Sequence, residues 1–235
     1  MHKTLFYLTL LFTSVSSYAS ETYITDISRD REIPISISLP TNNVKCSKQN
    51  KCPVAFINAG YGMAHNSYTF ASDEFNKQGY LAIAVGHELK TDPMLNVHPP
   101  YMATRMENWH RGVVTLKFLV NELAAKYTEY DFSKLTLFGH SNGGDISALY
   151  PDEVSDLITL DHRRMLLPRN KDIRVLTLRG SDYPADAGVL LSEKELSEFP
   201  VTQLRIEKSR HNDMYDGGPN WLVDRMSKEV AKFIN

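Results

Sequence analysis

Residues 135–144 read Leu-Thr-Leu-Phe-Gly-His-Ser-Asn-Gly-Gly, and the rest of the chain is best understood outward from them. Four apolar or β-branched residues run into Gly139-His140-Ser141-Asn142-Gly143, a G-x-S-x-G pattern at every fixed position. The pattern marks a sharp strand-to-helix turn with a serine at its tip. Its glycines have a steric reason, because the turn brings backbone segments so close that a Cβ at Gly139 or Gly143 would clash. The helix expected after Ser141 aims free N–H groups and the positive end of its dipole back at the serine. One turn thus exposes a hydroxyl and stabilises negative charge beside it.

Short, nearly continuous apolar runs at residues 54–57, 81–85, 157–160 and 175–178 resemble the run before the turn, and all read as strands buried on both faces. Residues 23–39 read as two further strands. In the second, Ile33, Ile35, Ile37 and Leu39 alternate with Pro34, Ser36 and Ser38, which predicts one wet face, and Pro34 places the pair at an antiparallel sheet edge. Residues 201–206 complete the set. Helices are expected over 68–78, 104–127, 143–150, 192–199 and 221–233. The long one opens on a capping-box pattern, Thr104 and Glu107, and carries an apolar stripe of Val113, Leu116, Val120 and Leu123; Ser192 and Glu195 form a second box. Strands alternating with helices predict a layered α/β domain, a mostly parallel eight-stranded sheet with helices on both faces. The short interval between the strand ending at Leu160 and the one starting near Arg174 leaves no room for a large cap domain.

A chain of 235 residues, 42% hydrophobic, can bury one substantial core and is expected to form a single domain over residues 20–235. Its net charge of -2, from 26 basic and 28 acidic side chains without long runs, gives no footprint for nucleic acid or for stable membrane association. The oligomeric state is left open. Residues 1–19 read as a signal peptide: Lys3 lies in a short basic region, residues 5–12 are apolar, and Ser17 and Ala19 are spaced as at a cleavage site. A membrane anchor would need roughly 20 apolar residues. Export to the periplasm or outside would put Cys46 and Cys52, the two cysteines of the chain, in an oxidising compartment, where a disulfide is expected. No cofactor is implied and no metal is expected: His87-Glu88 begins like a zinc-protease H-E-x-x-H, but the fifth position is Thr91.

The motif, strand order and helix placement across roughly residues 22–235 resemble the α/β-hydrolase fold. The stretches RDREIPISISLP, INAGYG, GHSNGGD and DHRRM are similar to the dienelactone-hydrolase and platelet-activating-factor-acetylhydrolase-like branch. The resemblance implies a serine hydrolase, first of all a carboxylesterase acting on small-molecule esters through an acyl-enzyme. A peptidase or acyltransferase would use the same triad, and a non-catalytic binding module the same fold.

A serine hydroxyl needs an imidazole to take its proton and a third group to hold that imidazole in the right tautomer. In this fold the triad order is serine, then acid, then histidine, so His211, just past the last strand, is the expected base for Ser141, and His162 is its rival. For the acid the loop after residues 175–178 favours Asp182, one residue before the position that relatives often use, which here is Tyr183. Asp161 and Asp186 are the alternatives. An oxyanion hole built from backbone N–H groups would be worth roughly 3 kcal/mol per donor. The resemblance gives Asn142, after the nucleophile, and Tyr61, in the loop Asn58-Ala59-Gly60-Tyr61-Gly62, where Ala59 replaces the usual histidine. Asp161, His162, Arg163 and Arg164 form a charged cluster at a strand's C-terminal end, where open α/β sheets bind ligands. Arg163 and Arg164 are candidate contacts for an anionic substrate group, or else an ion-paired loop.

Overall fold

In the computed structural model, which describes residues 20–41, 44–150 and 154–235, the apolar runs become strands β1 (Ser20–Asp26), β2 (Arg31–Ser38), β3 (Cys52–Asn58), β4 (Leu81–Val85), β5 (Tyr130–His140), β6 (Val154–Leu160), β7 (Arg174–Arg179) and β8 (Val201–Arg205). The expected signal peptide, with Lys3, Ser17 and Ala19, lies outside the described residues. The strands form one eight-stranded sheet in the order β1-β2-β4-β3-β5-β6-β7-β8. The pairs β1–β2 and β2–β4 are antiparallel and the rest are parallel.

The helices are α1 (Thr69–Lys77), α2 (Tyr101–Lys126), α3 (Asn142–Leu149), α4 (Glu193–Leu196) and α5 (Asn220–Ile234). Because successive strand side chains point to opposite faces, each face acquires its own core. Val54, Phe56, Leu135 and Leu137 pack with Trp109 and Leu116 of α2 and Ile146 of α3. Ala55, Ile57 and Phe138 pack with Phe75 of α1 and with Leu222 and Met226 of α5 on the other side. Burying one Leu- or Phe-sized side chain is worth about 2 kcal/mol, so the two layers supply most of the drive to fold.

Local expectations fail in two places. The long helix begins at Tyr101 behind Pro100, a turn ahead of Thr104, and has no side-chain cap. Thr104 instead turns its hydroxyl onto the Pro100 carbonyl at 3.0 Å. Proline is tolerated at a helix start because the N–H it lacks would have no partner there. Nor does β2 have a wet face: Ser36 and Ser38 are buried along with the isoleucines. The reason is what lies over that face: Ser36 Oγ is 2.9 Å from His65 Nε2, and Asn76 of α1 reaches over the strand to donate Nδ2 to the Ser38 carbonyl at 3.1 Å. Pro34 still suits its position, since pairing with β4 starts at Ile35 and its carbonyl accepts from Gly86 N–H at 2.9 Å. The box of Ser192 and Glu195 is formed and opens α4.

Cys46 and Cys52 are joined, with Cα atoms 5.3 Å apart, and tie the loop ahead of β3 to its first residue. What positions the candidate site is the topology. The chain leaves β3 toward β4 on one side and leaves β5 toward β6 on the other, so the C-terminal ends of β3 and β5 flank the switch point where such sheets bind ligands.

Candidate active site

Ser141 sits at the end of β5 with φ 52° and ψ -117°, a conformation costly for a residue with a side chain. Its neighbours make the turn possible. A Cβ on Gly139 would lie 2.3 Å from the Gly143 carbonyl oxygen, and one on Gly143 would lie 2.1 Å from that of Asn58. The turn is pinned by Ser141 N–H donating to Leu160 O (2.9 Å) and by Asp145 N–H donating to Ser141 O (3.0 Å). Helix α3 starts at Asn142, so the Asn142 N–H belongs to the first turn, whose donors have no partner within the helix.

His211 arrives from the loop after β8. Its Nε2 is 2.9 Å from Ser141 Oγ and its Nδ1 is 2.6 Å from Asp161 Oδ2. With the carboxylate at Nδ1, that nitrogen carries the proton and Nε2 is left to accept from the serine hydroxyl. The carboxylate facing the imidazole is therefore Asp161, at the end of β6, and not Asp182. Asp182 Oδ1 accepts instead from the His211 backbone N–H at 2.9 Å, holding the loop rather than the ring. Asp186 pairs with Arg164 Nη1. Asp161 is fully buried. Its Oδ1 faces Gly180 N–H at 2.9 Å and Arg179 Nη2 at 3.0 Å, and its Oδ2 also faces Arg163 Nη2 at 3.3 Å. Burial alone would raise its pKa, but the His211 hydrogen bond and the Arg179 charge outweigh that and hold the carboxyl below its ordinary value. The rival histidine, His162, is buried with Nε2 3.1 Å from the Met165 carbonyl and does not face Ser141.

Two buried networks support this constellation. The first runs through His140, whose Nε2 is 3.0 Å from the His211 carbonyl oxygen. Nε2 must be the donor there, so Nδ1 accepts from Tyr68 Oη at 2.7 Å, and Tyr68 Oη in turn accepts from Gly60 N–H at 3.2 Å. Burial first, and the neighbouring His211 second, push the His140 pKa down to about 3, which keeps the ring neutral. The second network holds Asn142. Its Oδ1 accepts from Trp109 Nε1 at 2.8 Å, while Nδ2 donates to Asn108 Oδ1 at 2.8 Å and to Glu88 Oε1 at 3.0 Å. Burial pushes the Glu88 pKa up to about 7, against the opposing effect of its bonds to Asn108 and Asn142.

Ser141, Asn142 and His211 open onto a cleft of about 640 Å³ that Tyr61, Arg163 and Arg164 also line. Tyr61 stands in the loop after β3, and its hydroxyl accepts from Leu95 N–H at 3.0 Å. No helix is inserted between β6 and β7; the segment after β4 contributes Leu95 and Val97 to the wall instead.

Sequence reasoning brought Ser141 and His211 together but placed the wrong aspartate against the ring. It also missed Tyr68, Glu88, Asn108 and Trp109, which touch the site only through the fold and share no spacing with it. For Asp161 a signal was present: an aspartate at the end of an apolar run, with Arg163 two residues on to balance a buried charge.

Neither a protein-family model nor a curated protein matches the sequence. Solved structures do match. One is esterase 2 of Thermogutta terrifontis phosphonylated by sarin, at 12% identity and TM-score 0.66 over 94% of this chain and 95% of that one. The same esterase phosphoramylated by tabun gives 13% identity and TM-score 0.65 over 91% and 92%. Est1E from Butyrivibrio proteoclasticus gives 14% identity and TM-score 0.61 over 93% and 98%. The fold is that of these esterases, the α/β-hydrolase fold.

Proposed function

We propose that the chain is a serine carboxylesterase that works through an acyl-enzyme, with Ser141, His211 and Asp161 as its triad. The observation that carries this reading is the unbroken contact from Ser141 Oγ through His211 to Asp161, 2.9 Å and 2.6 Å. In the first half-reaction His211 Nε2 takes the hydroxyl proton as Ser141 Oγ attacks the ester carbonyl carbon. The tetrahedral oxyanion is met by the backbone N–H groups of Asn142 and Tyr61. His211 then protonates the departing alkoxide, leaving an acyl-serine. In the second half a water loses its proton to His211, attacks the acyl carbon, and Ser141 regains its proton as the acid leaves. Asp161 stays ionised throughout and holds the imidazolium.

The substrates are small, soluble esters, a reading supported by the absence of a helical insertion between β6 and β7. The protein is exported, which the Cys46–Cys52 disulfide and the composition of residues 1–19 support. Membership of the dienelactone-hydrolase and acetylhydrolase-like branch rests on the four stretches quoted above. The test is a fluorophosphonate probe followed by a panel of p-nitrophenyl esters, since the T. terrifontis esterase is itself known in phosphonylated and phosphorylated forms. One probe per chain on Ser141, together with turnover that falls as the acyl chain lengthens, is expected. Full turnover by Ser141→Ala, or strong activation above the solubility limit of a long-chain ester, would overturn the respective parts.

A further inference from the structure

Three guanidinium groups share the wall of the cleft that holds Ser141 and His211: Arg105 from α2, and Arg163 and Arg164 from the loop after β6. Each lies on an aromatic ring. Arg105 and Arg164 take the Tyr101 ring, at 4.8 Å and 4.1 Å from its centre, and Arg163 takes the Tyr183 ring at 4.2 Å. Stacking holds a guanidinium plane in place while leaving its N–H edge free to meet a planar anion. Burial first, and then the like charges of Arg164 and Arg163, push the Arg105 pKa down, against the opposing charge of Asp145.

The protein's own carboxylates do not neutralise the group fully. Arg163 shares Asp161 with His211 and Arg179, and Arg164 has Asp186. Asp145, which also lines the cleft, spends Oδ1 on the backbone N–H groups of Arg163, Arg164 and Met165. Arg105 donates Nε to the Asn96 carbonyl at 2.7 Å. Its two terminal nitrogens have no hydrogen-bond acceptor among the described residues.

We propose that this wall is an anion subsite, centred on Arg105 and flanked by Arg163 and Arg164, which selects esters that carry a carboxylate or phosphate group. The inference rests on the esterase reading for its substrate and on the cleft alone for its anion. A bound oxyanion would offset the repulsion among the three cations and satisfy the open edge of Arg105 with charge-assisted hydrogen bonds.

The experiment compares mono-p-nitrophenyl glutarate with p-nitrophenyl butyrate, and 3-acetoxybenzoate with phenyl acetate, so that the charge sits first on the acyl side and then on the alcohol side. At low salt we expect kcat/KM to favour the anionic member of at least one pair by tenfold or more. That preference should shrink as salt rises, and it should collapse toward unity in Arg105→Met. Glutarate and inorganic phosphate should each raise the Tm of the wild type, more so than that of Arg105→Met, and their relative effect tells carboxylate from phosphate. Should Arg105→Met fail to fold, Arg105→Gln and the salt dependence of the wild type carry the same test. A wild-type ratio at or below unity in both pairs would overturn the subsite while leaving the esterase intact. If no ester is turned over and Ser141 stays unlabelled, the catalytic reading fails instead. The subsite is then decided by the Tm shifts, and it falls if neither anion stabilises the wild type.

Discussion

Replacing Asp161 by asparagine tests the site at the contact where sequence and structure disagree. The amide can enter in two orientations. With its NH2 group toward His211 Nδ1, 2.6 Å away in the wild type, the ring must accept there and carry its proton on Nε2, where it can no longer accept from Ser141 Oγ. With its oxygen toward the ring the tautomer is preserved, but the NH2 group then faces two donors, Gly180 N–H and Arg179 Nη2. The first orientation keeps both of those bonds and meets one donor, Arg163 Nη2, at the longer distance of 3.3 Å. The wrong tautomer therefore prevails, and the expected loss in kcat is about 10⁴, as in triads of this kind, or about 5 kcal/mol of transition-state stabilisation. Asp182→Asn should cost less than about tenfold, because an amide oxygen can still accept from the His211 backbone N–H. Asp186→Asn touches only Arg164 and should behave in the same way. The assay is kcat and KM on p-nitrophenyl acetate, with Tm measured on each variant, since weakening the charge opposite buried Arg179 also costs stability. Collapse of kcat in Asp182→Asn, with Asp161→Asn within tenfold of wild type and both folded, would refute the reasoning.

Other perturbations follow from the same geometry. Glu88 has a folded pKa pushed up to about 7 against an ordinary 4.5, so its contribution to stability is fully present below the lower value and lost as pH rises through the higher one. Glu88→Gln should therefore gain on the wild type between those values, by about 2 kcal/mol at pH 8 after allowance for partial exposure. An equal Tm difference at pH 5 and pH 8 would count against it. Ser141→Gly should be more stable than Ser141→Ala by about 1 kcal/mol, because only glycine adopts φ 52° with ψ -117° freely; equal chemical-denaturation midpoints would show the strain to be absent. The double variant Cys46→Ser, Cys52→Ser should lose roughly 2 kcal/mol by the loop-entropy model. Exported wild type should in turn be lighter by residues 1–19 and by two hydrogens in intact-mass analysis, and a mature protein that kept Met1 or titrated two thiols would contradict this.

Most of the framework is legible in the sequence because it depends on local rules. Gly139 and Gly143 announce the turn by the lack of room beside them, and alternation between strand and helix announces the sheet. The alternation in β2 misled for a reason that is not local. A period of two says that the two faces differ, whereas the burial of Ser36 and Ser38 depends on what is laid over the second face. The acid is a sharper case. Asp161 directly follows β6 and Asp182 lies in the loop past the neighbouring parallel strand β7, and both reach His211, one at its ring and the other at its backbone N–H. What separates them is which part of the histidine they meet, and that depends on the path of the 206–214 loop, which no spacing in the chain encodes.

The arrangement around His140 bears on whether Asp161 can be altered without moving the rest of the site. His140 is the variable residue inside the G-x-S-x-G turn, yet its ring bonds both the His211 carbonyl and, through Tyr68, the Gly60 N–H. The turn that carries Ser141, the loop that brings the His211 ring and the loop that brings Tyr61 are thus joined through one buried side chain. Burial holds its pKa near 3, so the ring does not change charge at neutral pH and the linkage does not loosen there. Asp161 has no bond to that network except through the His211 ring; its other partners are Gly180, Arg179 and Arg163. Altering Asp161 should change the tautomer of His211 while the backbone of its loop stays tied to His140. Loss of activity in Asp161→Asn then reports the position of a proton rather than a collapsed site. Tyr68→Phe should do the reverse, leaving the tautomer intact while releasing the Gly60 N–H and with it the loop that carries Tyr61.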